Sequence, residues 1–136
     1  MSTEEKRNSI FPQGNKTSAD YFTGTAWLNM LVPQDETGSY AVGNVVFEPG
    51  CRNNWHTHPA GQILLVIDGK GYYQERDKPA RLITKGDVVV IPSGVEHWHG
   101  ASKDSSLTHI AITNNTDKGA VNWLKPVTDE EYELMG

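Results

Sequence analysis

A single cysteine, Cys51, stands among the 136 residues of the chain. That excludes an internal disulfide framework and removes any argument for an oxidising compartment. Long apolar runs are missing as well: the longest, residues 63–67, falls far short of the roughly 20 residues a membrane-spanning helix needs. Acidic residues follow Met1 closely and no apolar stretch comes after them, so we expect no secretory signal and a cytoplasmic protein. There is no basic stripe either. The 12 Lys and Arg are scattered singly against 17 Asp and Glu, for a net charge of −5, which argues against nucleic acid as a partner. Apart from Asp129-Glu130-Glu131 the acids are dispersed too, and the charge reads as a solubility feature. Internal repeats and low-complexity tracts are absent.

What the chain does have is punctuation. Pro49-Gly50, Pro59-Ala60-Gly61, Asp68-Gly69, Lys85-Gly86 and Pro92-Ser93-Gly94 interrupt it within ten or so residues of one another. Between these stops we expect strands at 23–32, 40–48, 54–58, 62–67, 71–75, 81–83, 87–91, 97–101, 107–113 and 121–124, with a turn at 33–38. Short strands at regular spacing predict an all-β sandwich or barrel. A polar, irregular arm is expected over residues 1–19, and one barrel domain over 20–136, long enough to bury a self-supporting core. A single short, peripheral helix is expected after Thr128, which stands three residues before Glu131 at capping-box spacing.

All five histidines fall in or at the ends of expected strands, as two His-x-His pairs, His56/His58 and His97/His99, plus His109. Residues i and i+2 of a strand share a face, so each pair can aim two imidazoles at one point. Imidazoles gathered inside a small barrel must each find a hydrogen-bond or metal partner, and nitrogen-rich sites suit Mn, Fe, Co, Ni, Cu or Zn. His109 stands alone on its strand, where one histidine is as readily a core residue as a functional one. It shares a face with Ala111 and Thr113, so if it points inward Ala111 leaves room beside it.

Outward from the first pair the order is Gly50, five residues, His56, Thr57, His58, three residues, Gln62, six residues, Gly69. Around the second it is Gly86, five residues, Pro92, Ser93, Gly94, two residues, His97. Both strings resemble the two conserved-barrel motifs of the cupin superfamily, with Gln62 in place of the usual glutamate and Ala101 in place of the usual late asparagine. The resemblance spans about residues 40 to 113 and implies a double-stranded β-helix (jelly-roll) barrel. It further implies one divalent transition metal in the lumen, held by His56, His58, Gln62 and His97. Three neutral imidazoles and an amide would leave the charge of such an ion uncompensated, which strengthens it as a Lewis acid and favours an anionic substrate oxygen.

Longer strings, among them Trp55-His56-Thr57-His58-Pro59, His97-Trp98-His99-Gly100-Ala101 and Val121-Asn122-Trp123, look like the small single-domain bacterial cupins over roughly residues 19 to 133. These include manganese-dependent hydroxynitrile lyases and relatives associated with carboxymuconolactone decarboxylases. By that resemblance manganese is the favoured metal, His109 is the base that takes a substrate proton, and His99 is a second lumen histidine. Asn53-Asn54 is more polar than the lyase pattern, which implies a different pocket rim. A cupin dioxygenase and a non-catalytic, metal-dependent small-molecule binding module stand as the alternatives. Trp27, Trp55, Trp98 and Trp123 are expected chiefly in core or interface, with Trp98 facing away from the lumen toward a second layer or a partner. The stretch 62–67 is apolar on both faces, and a homodimer covering the outer one would account for it.

Overall fold

The computed structural model describes residues 10–33, 39–114 and 119–133. The expected turn at 33–38 therefore lies outside the described residues from Gln34 onward, as do the first nine residues of the expected arm. The strands are β1 Asn15–Lys16, β2 Phe22–Thr23, β3 Ala26–Val32, β4 Tyr40–Phe47, β5 Arg52–Asn53, β6 His56–Thr57, β7 Gln62–Glu75, β8 Arg81–Thr84, β9 Val88–Ile91, β10 His97–Ala101, β11 Leu107–Asn114 and β12 Asn122–Trp123. One helix, α1 Asp129–Glu133, follows them. Every pairing is antiparallel, and the path β1-β3-β4-β11-β7-β10-β5-β2 curls into the expected all-β barrel. Asn15–Lys16 is paired to Trp27 and Leu28, so the stretch read as irregular contributes an edge strand.

Strand β7 joins the two halves. Two strands separated by a stop at Asp68-Gly69 were expected; the chain instead runs straight through. Its first half pairs with β11 and β9, and its second with β10 and β8. The change of partners is made by local distortion. Opposite Thr108/His109 the register slips and Ile67 is left unpaired, a bulge that bends the strand. Gly69 then takes φ +78, and a Cβ there would lie 1.9 Å from the Ser106 carbonyl oxygen. No other residue can supply both the conformation and the clearance.

The expected strand at 54–58 is broken in the opposite sense. Asn54 N–H donates to the Tyr21 carbonyl and Trp55 N–H to that of Lys125, so two short strands, β5 and β6, flank a bend.

Alternation divides the side chains as period two demands. Leu64, Val66, Val89, Ile91 and Leu107 point inward to an apolar interior, which continues through Val45 and Phe47. A second, smaller core lies outside the barrel wall, where Trp98 is fully buried among Trp55, Tyr72, Val127 and Tyr132. The helix expected as peripheral closes this second core. Its capping box is formed, with Glu131 N–H donating to Thr128 Oγ1 at 3.0 Å and Thr128 N–H to Glu131 Oε1 at 2.9 Å. Tyr132 reaches inward from it and donates its hydroxyl to the Ala101 carbonyl at 2.6 Å. Among the described residues no helix is long and apolar enough to cross a membrane.

Gly69→Ala should cost about 2–5 kcal/mol, because left-handed strain and a backbone clash add at one position. A thermal or denaturant melt of the variant at wild-type-like stability would contradict the hinge role given to Gly69.

Candidate metal centre

All five histidines are buried and converge on the lumen. The β10 pair arrives from one strand, His56 and His58 from β6 and its exit, and His109 from β11. His97 is the direct register partner of both His56 and Glu75, and the His56 and His97 ring centroids lie 4.2 Å apart. His58 is 4.9 Å from His56 and 5.3 Å from His97 by the same measure. His99 lies between the two groups, 5.6 Å from His56 and 4.9 Å from His109. Ring nitrogens of His56, His97 and His99 come within 4.8 Å of one another. His99, expected as a second lumen histidine beside the base, is thus itself one of the three histidines of this cluster, and His58 is not.

Backbone carbonyls decide which nitrogens face inward. Nδ1 of His56 meets the Asn54 carbonyl oxygen at 2.7 Å, Nδ1 of His58 that of Ala120 at 2.8 Å, and Nδ1 of His97 that of Val95 at 2.9 Å. A carbonyl only accepts, so each Nδ1 holds the proton and each Nε2 keeps its lone pair. Nε2 of both His58 and His97 is buried without a hydrogen-bond partner. Gln62 repeats the arrangement in amide form. Its Nε2 donates to Thr113 Oγ1 at 2.8 Å, which turns Oε1 away from the threonine, and that oxygen too is buried and unpartnered. The Pro59-Ala60-Gly61 turn, closed by Gly61 N–H on the His58 carbonyl, returns Gln62 to the side of His58 as expected. Buried acceptors left unmade are costly in a folded protein. Three imidazoles with protons pinned outward and an amide oxygen turned in fit a transition metal, for which such donors are the ordinary ligands and outward carbonyls the ordinary support.

The electrostatics agree. Burial holds His56 and His99 well below the usual imidazole range, and the neighbouring histidines push the same way. Burial lowers His97 to about 4, against the opposing pull of the Val95 carbonyl. His109 falls to about 3 through burial. His58 is lowered by burial, partly offset by the Ala120 carbonyl and the Gln62 side chain. All five rings are accordingly neutral near pH 7, the state a metal requires.

Beside the rings is a cavity of about 310 Å³. Phe22, Leu28, Val45, Phe47 and Trp123 form its apolar walls, and Ala111 leaves the space expected next to His109. Of the four tryptophans only Trp123 lines it, stacked on Tyr21 with centroids 4.6 Å apart. Trp55 and Trp98 belong to the second core, while Trp27 Nε1 donates to Glu48. Two contributors escaped sequence reasoning. Thr113 was seen only as a neighbour on the His109 face, and Asn53 only as a polar rim residue; Asn53 is buried and hydrogen-bonded to His99.

Residues 43–113 match the Cupin domain family. The chain belongs to the cupin family. Among curated cupins it is 44% identical over 117 residues to the (R)-mandelonitrile lyase of Granulicella tundricola, covering 86% of this chain and 89% of that one. Acireductone dioxygenase of Yarrowia lipolytica is 39% identical over 81 residues, 57% of this chain and 46% of the dioxygenase. Among solved structures, a cupin-like protein from Thermotoga maritima superposes with a TM-score of 0.91 at 52% identity, over 94% of this chain and 97% of that one.

Unfolded histidines titrate near pH 6.5, whereas the folded rings stay neutral to much lower pH. Stability fully present above pH 6.5 is therefore lost as pH falls, because the unfolded chain takes up protons the folded one refuses. Between pH 6.5 and 5, above most carboxylate titrations, the denaturation midpoint of the metal-free protein should drop steeply. Each such ring contributes up to about 1.4 kcal/mol per pH unit. A midpoint flat across that window would contradict the neutral, buried state of the cluster.

Proposed function

We propose that this cupin is a metal-dependent enzyme acting on a small organic substrate, most specifically by C–C bond cleavage or addition of the hydroxynitrile-lyase kind. The observation that carries the proposal is the set of inward-facing, proton-free nitrogens and the Gln62 oxygen beside an apolar cavity. The 44% identity to a mandelonitrile lyase along most of both chains supports the reaction class. His56, His58, Gln62 and His97 would hold one divalent ion, with manganese favoured. When bound, the ion supplies Lewis acidity toward a substrate oxygen, undiminished by any ligand carboxylate.

The remaining work falls to the chain. Phe22, Leu28, Val45 and Phe47 exclude water and seat an apolar body. His109 takes the hydroxyl proton by way of His99, which accepts it on one ring nitrogen while passing its own proton to His109 from the other, as the bond to cyanide breaks. The bonding pair leaves with cyanide, a carbonyl remains, and the proton passes to the cyanide. Neutral buried imidazoles are suited to this exchange because they accept a proton and then readily return it.

A dioxygenase is the second reading, favoured by the acireductone dioxygenase relatives. Cyanide release from mandelonitrile against oxygen uptake with an acireductone separates the two. The purified protein should carry about one metal per chain by mass spectrometry, and His97→Ala should lose it. His109→Ala should keep the metal while kcat falls about 10²–10⁴-fold. Turnover in neither assay with metal bound would point instead to a binding module. No metal in wild type after incubation with Mn, Fe, Ni and Zn salts would sink the enzyme reading.

We further propose a homodimer through the outer barrel wall. Ile63 and Leu65 of β7 lie in register with Val90 and Val88 of β9 on one side and Ile112 and Ile110 of β11 on the other. Paired residues share a face, so the six form one apolar patch, with Val88 and Val90 more than half exposed. Val90→Glu should convert a dimer to a monomer by light scattering; a wild-type monomer would overturn the assembly.

A further inference from the structure

Asn53 is 3% exposed and sits on β5, where the Arg52 to Gly100 pairing sets it against His99. Its amide has no freedom to flip. His99 backbone N–H points at Oδ1 from 3.0 Å, and an N–H can only donate, so the oxygen is on that side. The Nδ2 end then faces the imidazole, 3.2 Å from Nε2 and 3.4 Å from Nδ1. An amide nitrogen also only donates, and the ring must meet it with a lone pair.

Nδ1 of His99 is already engaged, 3.2 Å from Nε2 of His109. One nitrogen of that contact carries a proton and the other accepts it. With Nε2 of His99 accepting from Asn53, a neutral His99 keeps its proton on Nδ1 and donates it to His109. Nε2 of His109 is then the acceptor, and since Nδ1 of His109 is buried without a hydrogen-bond partner, the contact with His99 is what orients this ring. The direction is set from the Asn53 end.

We infer that Asn53 is a positioning residue: by donating to His99 it fixes that ring's tautomer and the direction of the hydrogen-bond chain Asn53 to His99 to His109. Mere rim polarity would not need a buried amide anchored at both of its ends. The direction puts His109 behind His99, with its accepting nitrogen turned toward the ring that shares a nitrogen cluster with His56 and His97. The consequence for turnover rests on the lyase-type reading above; the tautomer does not.

The test is ¹⁵N NMR of the histidine rings in the full-length protein, metal-free and loaded with diamagnetic Zn. In wild type, His99 and His109 should each show a protonated Nδ1 and a proton-free Nε2. Asn53→Asp replaces the donating nitrogen with an accepting oxygen at nearly unchanged volume, and should move the His99 proton to Nε2. Metal content should be unchanged in the variant, with kcat for cyanide release about 10–100-fold lower and KM within about twofold. A protonated Nε2 on His99 in wild type, an Asn53→Asp spectrum matching wild type, or loss of metal from that variant would each overturn the proposal. Should the variant not fold, the wild-type spectrum decides alone. The predicted spectrum without any cyanide release would defeat the lyase reading and leave the role of Asn53 standing.

Discussion

Burying five imidazoles in one small lumen requires that each ring be told which nitrogen keeps its proton, and everything at this site depends on how that is done. For His56, His58 and His97 the answer comes from the backbone: carbonyls of Asn54, Ala120 and Val95 hold the Nδ1 protons outside the cluster. For His99 and His109 it comes from a side-chain amide and from one ring on the other. Backbone acceptors are as rigid as the strands and bends that carry them, so these rings would need little reorganisation to take up an ion. Two of the three, Asn54 and Val95, stand just two residues before the histidine they serve, so the strand entry that delivers a ring also orients it.

The barrel answers a second demand, that rings from three distant segments reach one point. Strand β7 makes this possible by belonging to both halves: it holds β11, and therefore His109, against its first half, and β10, with His97 and His99, against its second. The unpaired Ile67 lies where His109 meets the strand. The bend that closes the barrel and the placement of His109 are thus one distortion.

Much of this was legible in the sequence. The glycines of the expected stops at Gly50, Gly69, Gly86 and Gly94 all take positive φ, between 76° and 96°. The extent of 97–101 was read correctly, as was the shared face of His109, Ala111 and Thr113, because alternation depends only on local pleating. What local patterns could not reveal was long-range. Asp68-Gly69 has the composition of a turn, and only pairing with two different sheets makes it a passage within one strand. Asn53 looks like rim polarity until the register of β5 against β10 sets it beside a residue 46 positions away. Thr113 lies 51 positions from the amide it orients, and no spacing rule joins them. The helix seemed peripheral because Tyr132 is its one buried residue.

That attachment has a kinetic meaning. β10 is buried on both faces, with His97 and His99 turned to the lumen and Trp98 turned to the pocket sealed by Val127 and Tyr132. The seal is a five-residue helix held by the Tyr132 hydroxyl, by Arg52 on the Val127 carbonyl and the Asp129 carboxylate, by Trp55 Nε1 on Glu131 and by Lys103 on Glu133. A unit of little more than one turn opens at lower free energy than the barrel itself. Each opening would unweight the back of the strand that carries two of the lumen histidines while the rest of the sheet stays paired. The rate at which an ion enters or leaves would then be governed by breathing of the C-terminal segment, and a protein could lose its metal without unfolding.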